Sequence, residues 1–482
     1  MTICFCAVLI ANSALAATYY VPEEYATIQS AIDTCQDFDT VIIAPATYRG
    51  PGNRNINFKG KAITVRSTDP TDPQIVNSTV IDCNGNGRGF AFNTEENADS
   101  KVIGLTITNG YGVLGGAIYS NNNSSPSITN CVVKNNLAVF GGGIACTNGS
   151  SYPVITNCNI TANRALVGGG GIYLNGSNPT IKNCIISGNA APDGGAIYSH
   201  YPGNPTIVNC TISGNVASKS AGAVYCYNSS NLSISHSILW GDTAPYASEI
   251  KVGNQGDPTS IQISYCDIQG GEQNVILADG CTVNWGQGNI DLDPCFVNPS
   301  YWNPNGTTIY AKDDFWVDGN YHLLDESPCI DAGDPEFVAG PSETDIDGNP
   351  RILGEKIDIG ADELVPSIPA IVKIMPKTLN LQSNGNWISC TIELPGDYNI
   401  ADVNSASIAL SKEISPNEKI GPARSSSEGA NTLLVKFDRS EIQNMLNDAE
   451  SPVSLTVAGK LNDGSDFAGT DTIRIVRGDS KK

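Results

Sequence analysis

Residues 345–349 of this 482-residue chain read Asp-Ile-Asp-Gly-Asn, which sets Asp345, Asp347 and Asn349 at alternate positions, with Asp358 and Asp362 close behind. Alternating carboxylate and amide oxygens are what a hard cation such as Ca2+ takes from a loop. A true EF-hand is excluded, because the glycine comes two positions early and Lys356 stands where the bidentate glutamate belongs. A looser Ca2+ site drawn from Asp345, Asp347, Asn349, Asp358 and Asp362 is therefore the metal chemistry expected. A second constellation is aromatic. The segments GGAIYS, GGGIAC, GGGIYL, GGAIYS and AGAVYC each carry an apolar residue taken to point inward, so the next residue points out. That gives an outer row of Tyr119, Ala145, Tyr173, Tyr198 and Tyr225, and two residues on a row of Asn121, Thr147, Asn175, His200 and Tyr227. A nearly uncharged wall containing Tyr119, Tyr173, Tyr198, His200, Tyr225 and Tyr227 could stack on the faces of neutral sugars. Stacked tyrosines also stabilise neighbouring strands with no ligand at all.

Acid–base chemistry is scarce where the chain is most regular. Residues 104–240 hold five charged side chains, Lys134, Arg164, Lys182, Asp193 and Lys219. One carboxylate cannot supply the acid–base pair of a glycoside hydrolase. A lyase needs a single base, for which Lys182 or Lys219 could serve, but neither has the ring of aspartates that a charge-neutralising Ca2+ would require. No catalytic residue is assigned on these grounds. His236 and His322 read as structural.

These residues sit on a repeat. PSITNCVVKNN, PVITNCNITAN, PTIKNCIISGN and PTIVNCTISGN align Cys131, Cys158, Cys184 and Cys210 at intervals of 27, 26 and 26 residues. Short β-type segments broken by Gly, Asn and Pro exclude helical arrays, and the period is too short for a propeller blade. A right-handed parallel β-helix with about 26 residues and three strands per coil fits. Ile181 and Cys184 both face inward although three apart, so alternation breaks at Asn183, where a left-handed bend is expected; Asn130, Asn157 and Asn209 take the same place. Asn136, Asn163, Asn189 and Asn215 form a second row, expected to hydrogen-bond from coil to coil. The cysteine row reads as an interior ladder of small hydrophobes. Cys295 and Cys329 lie outside it and are the better disulfide candidates.

The paired GGA[ILV] and xxN motifs resemble the repeats of chlamydial polymorphic outer-membrane proteins, with Ile160, Ile186 and Ile212 where that family prefers Phe. YVPEEYATIQSAIDTCQDFDTVIIAPATY, at residues 20–48, resembles the opening of the pectin-lyase-like superfamily of exported right-handed β-helix proteins. DPCFVNP, YHLLDESPCIDAGDP, DIDGNPR and DIGADE are similar to the end segment of choice-of-anchor β-helix proteins. The resemblance implies the fold and export; it implies little about activity, since the superfamily mixes lyases, hydrolases and adhesins.

The chain ends complete the plan. Residues 1–16 read as a secretory signal, with an apolar run and a small-x-small cleavage site. A strand and a capping helix are expected at 17–38, with Ile28, Ala31, Ile32 and Cys35 on one face closing the first coil. The β-helix follows over 39–290, an acidic end segment over 291–363, a linker over 364–370 and a small β-sandwich over 371–478. In the sandwich Asp438 caps a short helix whose Ile442, Met445 and Leu446 face the core. The net charge is −22, yet residues 241–363 carry 23 acidic side chains against 4 basic, while residues 104–240 are net +3. Nucleic acid is excluded as a partner, because phosphate contacts need clustered Lys and Arg. No segment is long enough to span a bilayer. The expectation is a secreted or cell-surface protein that binds neutral polysaccharide or a cell-surface glycan, with a polysaccharide lyase or related carbohydrate-active enzyme as the alternative.

Overall fold

The computed structural model describes residues 16–148, 150–253, 258–303, 315–340, 343–396, 398–412, 420–427 and 432–477. The expected signal sequence lies outside them except for Ala16. Repetition decides the architecture. Within one coil Ser127–Thr129, Val132–Lys134, Leu137–Phe140 and Ile144–Thr147 follow one another, and the next coil opens at Val154–Thr156. Each strand pairs in parallel with its counterpart one coil on, setting Ile128 against Ile155, Val133 against Ile160 and Ile144 against Ile172. The result is a parallel β-solenoid of four sheets. Sheet A has eleven strands and contains Ser127–Thr129; sheet B has nine and contains Val132–Lys134; sheet C has eight and contains Ile144–Thr147. Sheet D has five and contains Leu137–Phe140. Sheet D corrects the expected three strands per coil. Its register slips between Ala138 and Phe140, and it carries exposed apolar residues such as Val113 and Leu166, so its sequence reads as a turn.

The inward rows form one continuous core from Val21 to Cys281. Burying each isoleucine of such a row contributes about 1.5–3 kcal/mol. The bends are the expected ones: Asn130, Asn157, Asn183 and Asn209 have φ of 52°, 53°, 51° and 51°, which lets Cys131, Cys158, Cys184 and Cys210 turn back into the core. The second asparagine row is buried and self-satisfied. Asn136 Nδ2 donates to Asn163 Oδ1 at 2.9 Å, Asn163 to Asn189 at 3.0 Å and Asn189 to Asn215 at 2.9 Å, and each also donates to a backbone carbonyl of the preceding coil. The row ends on a carboxylate, with Asn215 Nδ2 donating to Asp242 Oδ1 at 2.8 Å. No disulfide joins any of the thirteen cysteines among the described residues. Cys295 and Cys329 are not joined, which corrects the disulfide expectation: Cys329 is buried and its thiol donates to Asp267 Oδ2 at 3.2 Å.

Helix α1, Ile28–Thr34, starts at an N-cap Thr27 and buries Ile28, Ala31 and Ile32 on the first coils. A second helix was not foreseen. α2, Pro73–Ser78, is capped by Asp72, and its Val76 carbonyl accepts from Thr106 Oγ1 at 2.9 Å on sheet B. The acidic segment does not simply extend the solenoid. It pairs with itself in antiparallel fashion, Phe296–Asn298 with Asn320–Leu323 and Tyr301–Asn303 with Phe315–Val317, and turns back along the outside of sheet B. There Phe296, Tyr321, Leu323, Cys329 and Ile359 form a small core with Ile238, and Ile185 packs against it.

The chain divides into two compact units, Met1–Leu364 and Val365–Lys482. The second is a β-sandwich of a five-stranded sheet and an antiparallel four-stranded sheet. Alternating residues such as Ile388, Cys390 and Ile392 are buried between the sheets. Helix α3, Arg439–Met445, is capped by Asp438, which accepts from the Ser440 and Glu441 amides, and it buries Ile442 and Leu446 in the same core.

Candidate functional site

The returning segment encloses a groove of about 780 Å³ on the outer face of sheet B. Its floor is the outward positions of stacked strands, Val132, Asn159, Ile185 and Thr211, which lie opposite one another in register, with Lys134 and Thr161 beside them. One wall is the turn at residues 70–73 running into α2. The other is the returning segment, contributing Asp318, Tyr321, His322, Asp347 and Asp362.

The bend asparagines fix both walls. Asn130 Nδ2 donates to the Pro70 carbonyl at 3.0 Å, Asn157 Nδ2 to the Asp345 carbonyl at 3.2 Å, and Asn183 Nδ2 to the Thr344 carbonyl. The same residue type that bends each coil thus holds down what crosses it. Lys182 pairs with Glu343 at 2.6 Å, and the Ala361 amide donates to Thr211 Oγ1 at 3.1 Å. Trp316 packs on Gly188 and Gly214, where a Cβ would come within 2.2 and 2.4 Å of its ring. Beneath the loop, Arg351 is fully buried. Its Nη2 meets Glu363 Oε1 at 3.0 Å, and its guanidinium donates to the carbonyls of Asp358, Gly360 and Ala361.

These contacts divide the five expected Ca2+ ligands. Asp345 spends its carboxylate on its own loop, accepting from the amides of Asp347, Asn349 and Glu363 and from Asn349 Nδ2. Asp358 accepts the Asp331 and Leu364 amides at 2.7 and 2.8 Å. Asp345, Asn349 and Asp358 therefore shape the loop, and only Asp347 and Asp362 reach the groove. There they meet His322. Its Nε2 hydrogen-bonds Asp347 Oδ2 and lies 3.9 Å from Asp362 Oδ1, while its Nδ1 is held by Asn320 Oδ1. The hydrogen bond to Asp347 holds the imidazole well above its ordinary range, at about 9, against the pull of burial. Burial pushes Asp362 up to about 6, partly offset by His322. The sequence reading missed His322, Asp318 and Lys134 as site residues. The one signal for His322 is its place in a strand within the acidic segment, as one of three histidines in the chain.

The tyrosine wall forms with the expected register, Tyr119 against Ala145, Ala145 against Tyr173, Tyr173 against Tyr198 and Tyr198 against Tyr225. Its faces are taken. Tyr198 stacks on Tyr225 at 5.2 Å and on His200 at 5.5 Å, and Phe140 of sheet D covers Tyr173 at 4.8 Å. Tyr227 tilts against His200 and Tyr225, and Lys251 Nζ and the Arg88 guanidinium cap the rings of Tyr225 and Tyr119 at 4.6 and 4.8 Å. Tyr173 and Tyr225 are left 3% and 8% exposed, so their rings present little face to a ligand.

Residues 96–248 and 140–297 match the family model described as "right handed beta helix region". That match agrees with the parallel β-solenoid described above. A crystal structure of pectate lyase Pel9A resembles the chain at 16% identity, covering 73% of this chain and 97% of that one, with a TM-score of 0.42. No curated protein matches the sequence. No helix among the described residues is long and apolar enough to cross a membrane.

Proposed function

We propose that this is an exported, extracellular or surface-held β-helix protein that binds a neutral polysaccharide chain in the groove over sheet B. The observation that carries this reading is the composition of the groove: stacked amides, hydroxyls and apolar faces from consecutive coils, closed by a second wall on the returning segment. A polymer lying across the coils meets similar groups at each ~4.8 Å step. Lys134 lines the groove together with Asp318, Asp347 and Asp362, and this excess of carboxylate disfavours a polyanionic chain. A second reading has its own observation. Two carboxylates and an imidazole stand together beside the floor, the residue types of acid–base catalysis, so the groove of a carbohydrate-active enzyme would look similar. One panel separates the readings. Neutral polysaccharides and uronans are offered to the full chain, and bound polymer, new reducing ends and unsaturated-uronate absorbance are all followed. Retention of a neutral polymer without new ends is expected. New ends would turn the protein into an enzyme, and no retention of any polymer would overturn the proposal.

A further inference from the structure

Asp347 and Asp362 are the two acidic wall residues that converge on a histidine. One imidazole nitrogen and one oxygen from each carboxylate lie within 4.8 Å of one another, the one such His/Cys/Asp/Glu group among the described residues. Each donor comes from a different part of the returning segment: His322 from a strand, Asp347 from the turn at residues 345–349, and Asp362 from the stretch that covers Thr211.

Two of the three are held from behind. Asn320 Oδ1 takes the Nδ1 side of His322, which leaves Nε2 aimed at the carboxylates, and the Leu323 amide donates to Asp362 Oδ2 at 3.0 Å. Such outer contacts fix the tautomer and orientation of metal ligands. Asp362 supplies a separate observation. It is 5% exposed and lines the groove, where its Oδ1 lies 3.9 Å from His322 Nε2 and receives no hydrogen bond from a described residue. A largely buried carboxylate at a cavity wall is stabilised by a cation beside it. No lysine or arginine of the described residues pairs with Asp347 or Asp362.

We propose that His322, Asp347 and Asp362 bind a divalent transition-series ion, Zn2+ or Mn2+, with its remaining positions open to the groove. Imidazole nitrogen with two carboxylates suits these ions, whereas Ca2+ prefers an all-oxygen shell with more ligands. The choice of metal and of ligands therefore departs from the Ca2+ loop expected from residues 345–362. Loading displaces the proton between His322 and Asp347, and the exposed Asp347 side chain moves aside to admit the ion. The proposal stands apart from the polysaccharide reading, because the metal is measured with no glycan present.

The test titrates the full, metal-stripped chain with ZnCl2, MnCl2 and CaCl2 by calorimetry, alongside His322→Gln and Asp347→Asn. Melting temperatures in chelator report whether each variant is folded. One equivalent of Zn2+ or Mn2+ should bind, with affinity at least about tenfold lower in both variants and with Ca2+ weaker than either ion. The Co2+-loaded chain should show ligand-field bands without thiolate charge transfer, which separates this site from the thirteen cysteines. Unchanged affinity in both folded variants, thiolate bands, or no binding of Zn2+ and Mn2+ would each overturn the proposal.

Discussion

The regular coils and the returning acidic segment divide the labour of the first unit. Residues 104–240 stack nearly uncharged rows, with isoleucine and cysteine inside and a second, buried asparagine row in which each side chain is satisfied by the same residue one coil away. Residues 291–363 repeat nothing, are strongly acidic, and depend on single contacts such as Arg351 with Glu363 and Trp316 on two glycines. Repetition specifies a scaffold, and chemistry enters where a unique segment crosses it. If so, damage to one region should leave the other recognisable.

The largest effect is expected beneath the groove wall. Arg351→Ala leaves Glu363 buried without its partner, which costs about 3–5 kcal/mol. Hydrogen exchange should rise across residues 318–340 and 343–363 while strands such as Ile185–Ser187 stay protected; loss of protection in the coils as well would erase the distinction between the regions. Asn189→Ala makes the reverse cut. It removes the acceptor of the Asn163 backbone and side-chain amides and leaves the Ile160 carbonyl without its side-chain donor, at about 1–3 kcal/mol per buried group left unpaired, and chemical denaturation should show the coils themselves weakened.

A smaller effect marks the contact between the regions. Gly188 has φ of +60° and lies under Trp316, so Gly188→Ala pays about 1–2 kcal/mol for the left-handed backbone and pushes the ring away. Tryptophan fluorescence should shift to the red with little change in far-UV circular dichroism. At the last step of the ladder, Asp242 and Glu249 are both buried with one oxygen each unpartnered. Burial pushes Asp242 up to about 7 and Glu249 further. The native state therefore holds a proton that the unfolded chain releases above about pH 4, so stability should fall as pH rises from there through about 7. Asp242→Asn restores the ladder residue and should flatten the melting temperature between about pH 5 and 8; an unchanged slope would remove the assignment.

The split explains what could be read from the sequence. A row such as Cys131, Cys158, Cys184 and Cys210 states its own spacing, and the positive φ at Asn183 followed from a bend that two inward residues three apart require. Even the tyrosine register was legible, because it is a property of neighbouring coils. What covers the tyrosines was not: Phe140 belongs to a strand whose register slips. The aspartates of the acidic segment suggest a local Ca2+ loop because they are close in sequence. Two of them turn inward to brace the loop, and the rest meet a histidine 25 residues upstream of Asp347, on top of strands whose own charges are few. Lys134 shares a groove with carboxylates only through that return, which is why the coils alone offer little for charged chemistry.

If the proposed reading holds, the groove over sheet B is the working face and the tyrosine wall is scaffold. The most direct measurement compares Asn159→Trp, which fills the groove floor, with Tyr198→Ala on the wall, against the neutral polysaccharide that the wild type retains best. At least a tenfold loss of affinity, about 1.4 kcal/mol, is expected for the groove variant and wild-type affinity for the wall variant. Binding that survives in the groove variant and collapses in the wall variant would contradict that reading.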